Sequence, residues 1–249
     1  MKSKKSVKKR ENANLKKKTQ DASSLKGIYQ SNLKYIYQSK TFILVTFGVF
    51  VLFFLLGLLI PAPSVLEKEI FELIKELSEK IGDLQGINLI FYIFFNNLFA
   101  SLFGLVLGIF FGIFSVASAI TNGYVLGFVS ALSVNAGGIS SLWKILPHGI
   151  FELPAIFISL GLGLSLGFPF VYRYFKYYSH KKNYWALAGG ILFLFAGIII
   201  SAITDKKLRS YQFKDFKRKF NNALSIFFFI IVPLLIIAAI IEGLLISLL

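Results

Sequence analysis

The chain has no cysteine and only two histidines, His148 and His180. The first absence removes disulfides and thiolate metal sites. The two histidines do not stand at helical spacing, whereas a zinc-protease helix needs two of them with a glutamate on one face. Acidic residues are also scarce, 12 against 27 basic ones, leaving a net charge of +15. No Walker motif, dinucleotide fingerprint or Gly-x-Ser-x-Gly elbow occurs. No polar stretch is long enough to form a soluble catalytic domain. These absences argue against an enzyme, with an intramembrane hydrolase the version left open. They give no reason to expect a cofactor.

Apolar residues are abundant instead. They make up 56% of the chain, above the 45–50% usual for soluble domains, and they gather in blocks. A bilayer core about 30 Å thick is crossed by about 20 helical residues. The runs are continuous and do not alternate, which excludes a β-barrel. The expected fold is all-α, a polytopic transmembrane bundle. Spans are expected at 42–60, 88–109, 112–134, 148–169, 185–203 and 222–248. The junction between the second and third lies near "GIFFGIF" or further on at "ITNG", an Asn-Gly breaker. An amphipathic helix is expected over 64–82, with Ser64 as N-cap. Gly104, Gly108 and Gly112, and Gly123 and Gly127, recur every four residues, the pattern of close helix packing in lipid.

Residues 1–40 hold 12 basic residues and two acidic ones. They read as a basic tail with an interfacial segment, ahead of a transmembrane domain over 41–249. The following apolar run is too long for a cleavable signal. The basic clusters lie beside apolar spans, so the expected partner is the anionic lipid surface and not nucleic acid. Positive charge favours the cytoplasm, so a multi-pass protein of the cell membrane with a cytoplasmic N-terminus is expected. This rule meets a conflict. Six spans would put the basic stretch 204–221 outside. Five spans plus a re-entrant element, for which 185–203 with Gly189-Gly190 is a candidate, would keep it inside.

Few ionisable groups fall at membrane depth, and such groups are functional candidates by default. They are His148, Glu152 and Glu242, joined by the amides Asn96 and Asn97. Asn122 lies near a span end. His148 and Glu152, in "LPHGIFELP", share a helix face at i and i+4. Pro147 suits a first helical turn, and Pro154 removes a backbone bond and frees the Ile150 carbonyl. A broken helix start is expected, with His148, Glu152, Glu242, Asn96 and Asn97 in one polar cluster. The same His148, Glu152 and Glu242 form a weak metal candidate. The alternatives are a cluster that holds the bundle together and a path for protons, ions or a polar substrate.

"LPHGIFELPAIFISLGLGLSLG" resembles the signature of the stage II sporulation protein M family, at Pro147, His148, Gly149, Glu152, Pro154 and Ala155. Asn96-Asn97 with the following glycines, and "PLLIIAAIIEGLLISLL", resemble two further segments of that family. The resemblance implies an integral membrane protein. For its sporulating namesake it implies a scaffold that holds peptidoglycan-remodelling partners. The expected function is thus a non-enzymatic scaffold or subunit of an envelope complex, with protein partners or a homo-oligomer. The alternative is a transporter, channel or lipid-handling protein that uses the buried His/Glu/Asn site.

Overall fold

The computed structural model describes residues 24–60, 63–82, 84, 86–110, 112–144, 146–180 and 206–248. Every regular element among them is helical. By contacts the chain divides into Met1–Gln38 and Ser39–Leu249. The first unit contains α1, Leu25–Gln38. Ser24 starts it, its Oγ accepting from the Gly27 N–H at 3.1 Å, the usual way to satisfy a first-turn donor. Leu25, Tyr29, Leu33 and Tyr37 stand four apart and exposed along one side of α1.

The second unit contains α2 (Lys40–Leu59), α3 (Ser64–Gly82), α4 (Ile87–Leu107) and α5 (Ile113–Gly137). A 3-10 turn, Ile139–Lys144, leads into α6 (Leu146–His180). After residues 181–205 come α7 (Lys206–Ile226), a π-helical turn (Phe227–Ile231) and α8 (Val232–Leu248). Among the described residues five helical stretches are long and apolar enough to cross a membrane: Lys40–Leu59, Ile87–Leu107, Ile113–Gly137, Gly149–Pro169 and Asp215–Ile246. The block 185–203 lies outside the described residues.

Lipid tails are as apolar as leucine, so burial alone does not drive these helices together; close packing must do it. Glycine supplies the approach. A Cβ at Gly123 would strike the Phe50 carbonyl, one at Gly127 the Phe54 carbonyl, and one at Gly57 the Tyr124 carbonyl. Helices α2 and α5 thus touch backbone to backbone. The same holds where α4, α5 and α6 meet. A Cβ at Gly108 would lie 2.6 Å from the Gly163 Cα. The Ser115 hydroxyl donates to the Gly104 carbonyl at 3.0 Å, and the Ser159 hydroxyl donates to the Ser101 carbonyl. Helix α6 lies at the centre, with every residue from Gly161 to Gly167 buried.

These contacts fix helix direction. Along α2 and α5, Phe50 meets Gly123 and Phe54 meets Gly127, so the two run parallel. Along α4 and α6, Ser101 meets Ser159 and Gly108 meets Gly163, again parallel. Phe42 faces Phe168, at 6.0 Å between ring centres, and Phe50 faces Phe157, at 5.0 Å, so α2 and α6 are antiparallel. Gly243 meets Ile90, and Ala239 packs with Leu89 and Ile93, so α8 opposes α4 and runs with α2. Helices α6 and α8 therefore run in opposite senses, and His180 and Lys206 lie at the same end of the bundle. Six crossings would need them to run in the same sense. The directions fit the five-span alternative, and they remove the charge conflict: Lys40, Lys176 and the basic residues of α7 share one end, and acidic α3 lies at the other.

The turn between α4 and α5 is tight and falls at 108–112. The Gly112 N–H donates to the Gly108 carbonyl at 2.7 Å, and Gly112 takes φ +78, which favours glycine. Asn122-Gly123 is helical instead, because Gly123 is needed against Phe50. Pro154 does not break α6. It lacks the N–H that would bond the Ile150 carbonyl, but packing of the buried Ala155, Phe157, Ser159 and Leu160 keeps the helix continuous through it, as neighbouring helices allow in membranes. At the far end from α7, α3 carries exposed ion pairs. Lys80 Nζ lies 2.6 Å from Glu76 Oε1, and this hydrogen bond holds the Glu76 carboxyl below its usual value.

Two outcomes are expected. Gly127→Val should cost about 3 kcal/mol or more by forcing α2 and α5 apart, whereas Gly48→Ala, with open space around it, should be neutral or slightly stabilising; denaturation in mixed micelles measures both. The absence of native cysteine permits single-cysteine labelling. Ser179→Cys and Lys217→Cys should react with an impermeant maleimide from one side of sealed vesicles, and Glu79→Cys from the other.

Candidate intramembrane site

A cavity of about 470 Å³ opens between α2, α5, α6, α8 and the 3-10 turn. Phe50, Phe54, Leu126, Leu142, Leu153 and Ile156 make its walls apolar. Asn122, Ser130, Glu152 and Glu242 bring polar groups to the same space. The two glutamates come from helices far apart in sequence. A carboxylate at mid-bilayer costs about 2.5–3.5 kcal/mol on insertion scales, so two in one cavity require support from the surrounding fold.

Part of that support comes from α4. The Asn97 side chain reaches the Glu152 carboxyl as a hydrogen-bonding partner, and Glu242 is close enough to act on Glu152 by its charge. Asn122 is held in the cavity wall through its own helix: its amide nitrogen donates to the Ser118 carbonyl at 2.8 Å and to the Ser118 hydroxyl at 3.1 Å. Ser130 donates to the Leu126 carbonyl at 2.7 Å.

The structure thus brings Glu152, Glu242 and Asn97 together and separates Asn96 from them. Asn96 is exposed on the outside of α4, since neighbouring residues point about 100° apart on a helix. Among the described residues its side chain makes one hydrogen bond, a long one, 3.5 Å from its amide nitrogen to Asn97 Oδ1. His148 lies on the first turn of α6, and its side chain is outside the described residues. The metal candidate of His148, Glu152 and Glu242 therefore also lies outside the described residues. Among the described residues no three His, Cys, Asp or Glu side chains converge to hold a metal. Asn122 and Ser130 belong to the cavity without having been expected there. Asn122 reads as a span end by its Asn-Gly, and Ser130 is one small residue among many.

Glu242 reaches the cavity on a helix with a local irregularity. The π-helical turn Phe227–Ile231 stands just ahead of Pro233. Pro233 has no N–H for the Phe229 carbonyl, and the widened turn takes up that loss.

Comparison with protein-family models gives a match over residues 44–245, to the family described as Stage II sporulation protein M. The chain belongs to that family. Searches of curated proteins and of solved structures find no match. Membership in the stage II sporulation protein M family and five membrane-capable helices make this a multi-pass integral membrane protein. All of the cavity's polar residues fall inside the stretch that matches the stage II sporulation protein M model.

The split between the two asparagines yields an expected outcome. Asn97→Leu should cost about 1–3 kcal/mol, because it takes a hydrogen-bonding amide away from beside the buried Glu152 carboxyl. Asn96→Leu should change stability by less than about 0.5 kcal/mol in the monomer. Thermal unfolding in detergent, followed by gel filtration, separates the two.

Proposed function

We propose that the protein is a non-enzymatic membrane protein that takes a small amphiphilic ligand, with a polar or cationic head, into the cavity beneath the 3-10 turn. This is a transport or lipid-handling role. The observation that carries it is the meeting of Glu152 and Glu242 in one space of about 470 Å³ with otherwise apolar walls. That volume lies within the usual ligand-pocket range of about 300–1,000 Å³. Apolar walls with a few converging polar groups suit a molecule that is itself part apolar and part polar. The two carboxylates favour a cationic head over an anionic one.

The orientation follows from charge. Lys40, Lys176 and the basic residues of α7 share one end of the bundle, and we place that end in the cytoplasm of the cell, by the positive-inside rule. The Lys-rich N-terminal tail then meets anionic headgroups of the inner leaflet, each basic residue contributing about 1 kcal/mol near the surface.

A second reading, a scaffold or subunit of an envelope complex, is favoured by a different observation. Helix α4 turns an aromatic face bearing the Asn96 amide out of the bundle, where a partner within the membrane would meet it.

Dodecylamine and dodecanol test the ligand reading, because they share a tail and differ in the head. Dodecylamine should raise the melting temperature of the protein in neutral-detergent micelles by several degrees, and dodecanol should not. The Glu152→Gln/Glu242→Gln pair should lose the difference. Equal effects of the two compounds, or an unchanged response in the double variant, would overturn the ligand reading.

A further inference from the structure

Helix α4 spans Ile87–Leu107, 21 residues, and at about 1.5 Å per residue it matches the bilayer core. Asn96 sits near its middle and is exposed. A primary amide carries two N–H donors and a carbonyl acceptor. The hydrogen bond to Asn97, at 3.5 Å, is at the limit of hydrogen-bond length. Most of this group's bonding capacity therefore faces hydrocarbon, where it has no water to turn to.

Its surroundings form a seam. Asn96, Phe99, Ala100 and Phe103 follow the spacing i, i+3, i+4, i+7, the stripe along which two helices pack. Phe99 is 50% and Phe103 55% exposed, and Ala100 is exposed between them. Phe95, Phe99 and Phe103 already stack on one another at 6.2 Å between ring centres, so the ridge is ordered before anything docks. Ala100, one turn from Asn96, leaves room for a second backbone to approach.

We propose that this face is where a second copy of the chain docks, with α4 packed in parallel on α4 and Asn96 hydrogen-bonded to Asn96 of the other copy. Copies inserted in one membrane share one orientation, so a two-fold axis along the bilayer normal sets each residue of α4 opposite itself. Few side chains suit that position. A carboxylate or an ammonium would repel its own image. An amide is its own complement, because each copy donates an N–H to the other's carbonyl oxygen. The chain's own remaining apolar block, 185–203, does not offer the same match: its sequence holds no amide or charged side chain, and Ser201 is its one hydroxyl. This inference deepens the scaffold reading by naming the partner, and it is independent of the ligand reading.

The test uses the full chain in lipid bilayers. Asn96→Cys and Ala100→Cys should each form a cross-linked dimer on mild oxidation, since no native cysteine competes. Leu52→Cys, exposed on α2, should not. Förster transfer between labelled copies, as a function of protein-to-lipid ratio, gives the dimer constant. Asn96→Leu should weaken it about tenfold, within the range of interhelical amide bonds, with Asn96→Gln retaining most of it. The melting temperature of the Asn96→Leu monomer should match that of the wild type. A protein that stays monomeric at all ratios overturns the proposal, as does a dimer indifferent to residue 96. Capture of a different protein by the α4 face, without self-association, also overturns it, yet leaves the scaffold reading standing.

Discussion

The bundle depends on bare backbone at its crossings. In lipid, helices gain little from hiding leucine from more hydrocarbon, so attraction must come from atoms in close contact and from a few buried hydroxyls. Gly57, Gly123 and Gly127 bring α2 against α5, and Gly104, Gly108 and Gly163 bring α4 against α6. Ser101, Ser115 and Ser159 are buried in these seams. Helix α6 is enclosed between those two parallel pairs, and α8 packs beside Leu89 and Ile93 of α4.

The cavity shares its walls with that arrangement. Phe50 and Phe54, whose carbonyls meet Gly123 and Gly127, also face the cavity, and Asn122, Leu126 and Ser130 of α5 line it beside those glycines. Helix α6 adds Glu152, Leu153 and Ile156, and α8 adds Glu242. The close crossing of α2 and α5 thus supplies one wall of the polar opening.

Much of this is visible in the one-dimensional pattern. Hydropathy places α2, α4 and α5, and the start of α6, within a few residues of their observed bounds, because a bilayer imposes a length on each. Helix α6 runs past its expected span to His180, and the last helical stretch, α7 through α8, begins well before its own at Lys206, since charge ends a membrane crossing but not a helix. Asp215, paired with Arg218 at 2.8 Å and Lys219 at 3.3 Å, supports the helical course of the basic stretch. Spacing shows that glycines recur, but not which helix they meet. It puts Asn96 and Asn97 in one apparent pair, whereas a helix must send neighbours in different directions. The meeting of Glu152 with Glu242 depends on α8 running antiparallel to α4, a fact of three dimensions that no local spacing records.

The π-helical turn at Phe227–Ile231 has a further effect on the position of Glu242. Ahead of it, Ala223, Ile226 and Phe227 are buried; a uniform α-helix would carry that inward side on through 230, 234, 237 and 241. The buried positions observed are instead Ile231, Leu235 and Ala238, each one step later, with Ala239 beside the last. The wide turn holds one residue of slack, and each residue of slack is worth about 100° of azimuth. The angular phase of everything downstream is therefore set at that turn, some way from the cavity, and the last acid's bearing on its neighbour is decided by how many residues fit into one loop of helix.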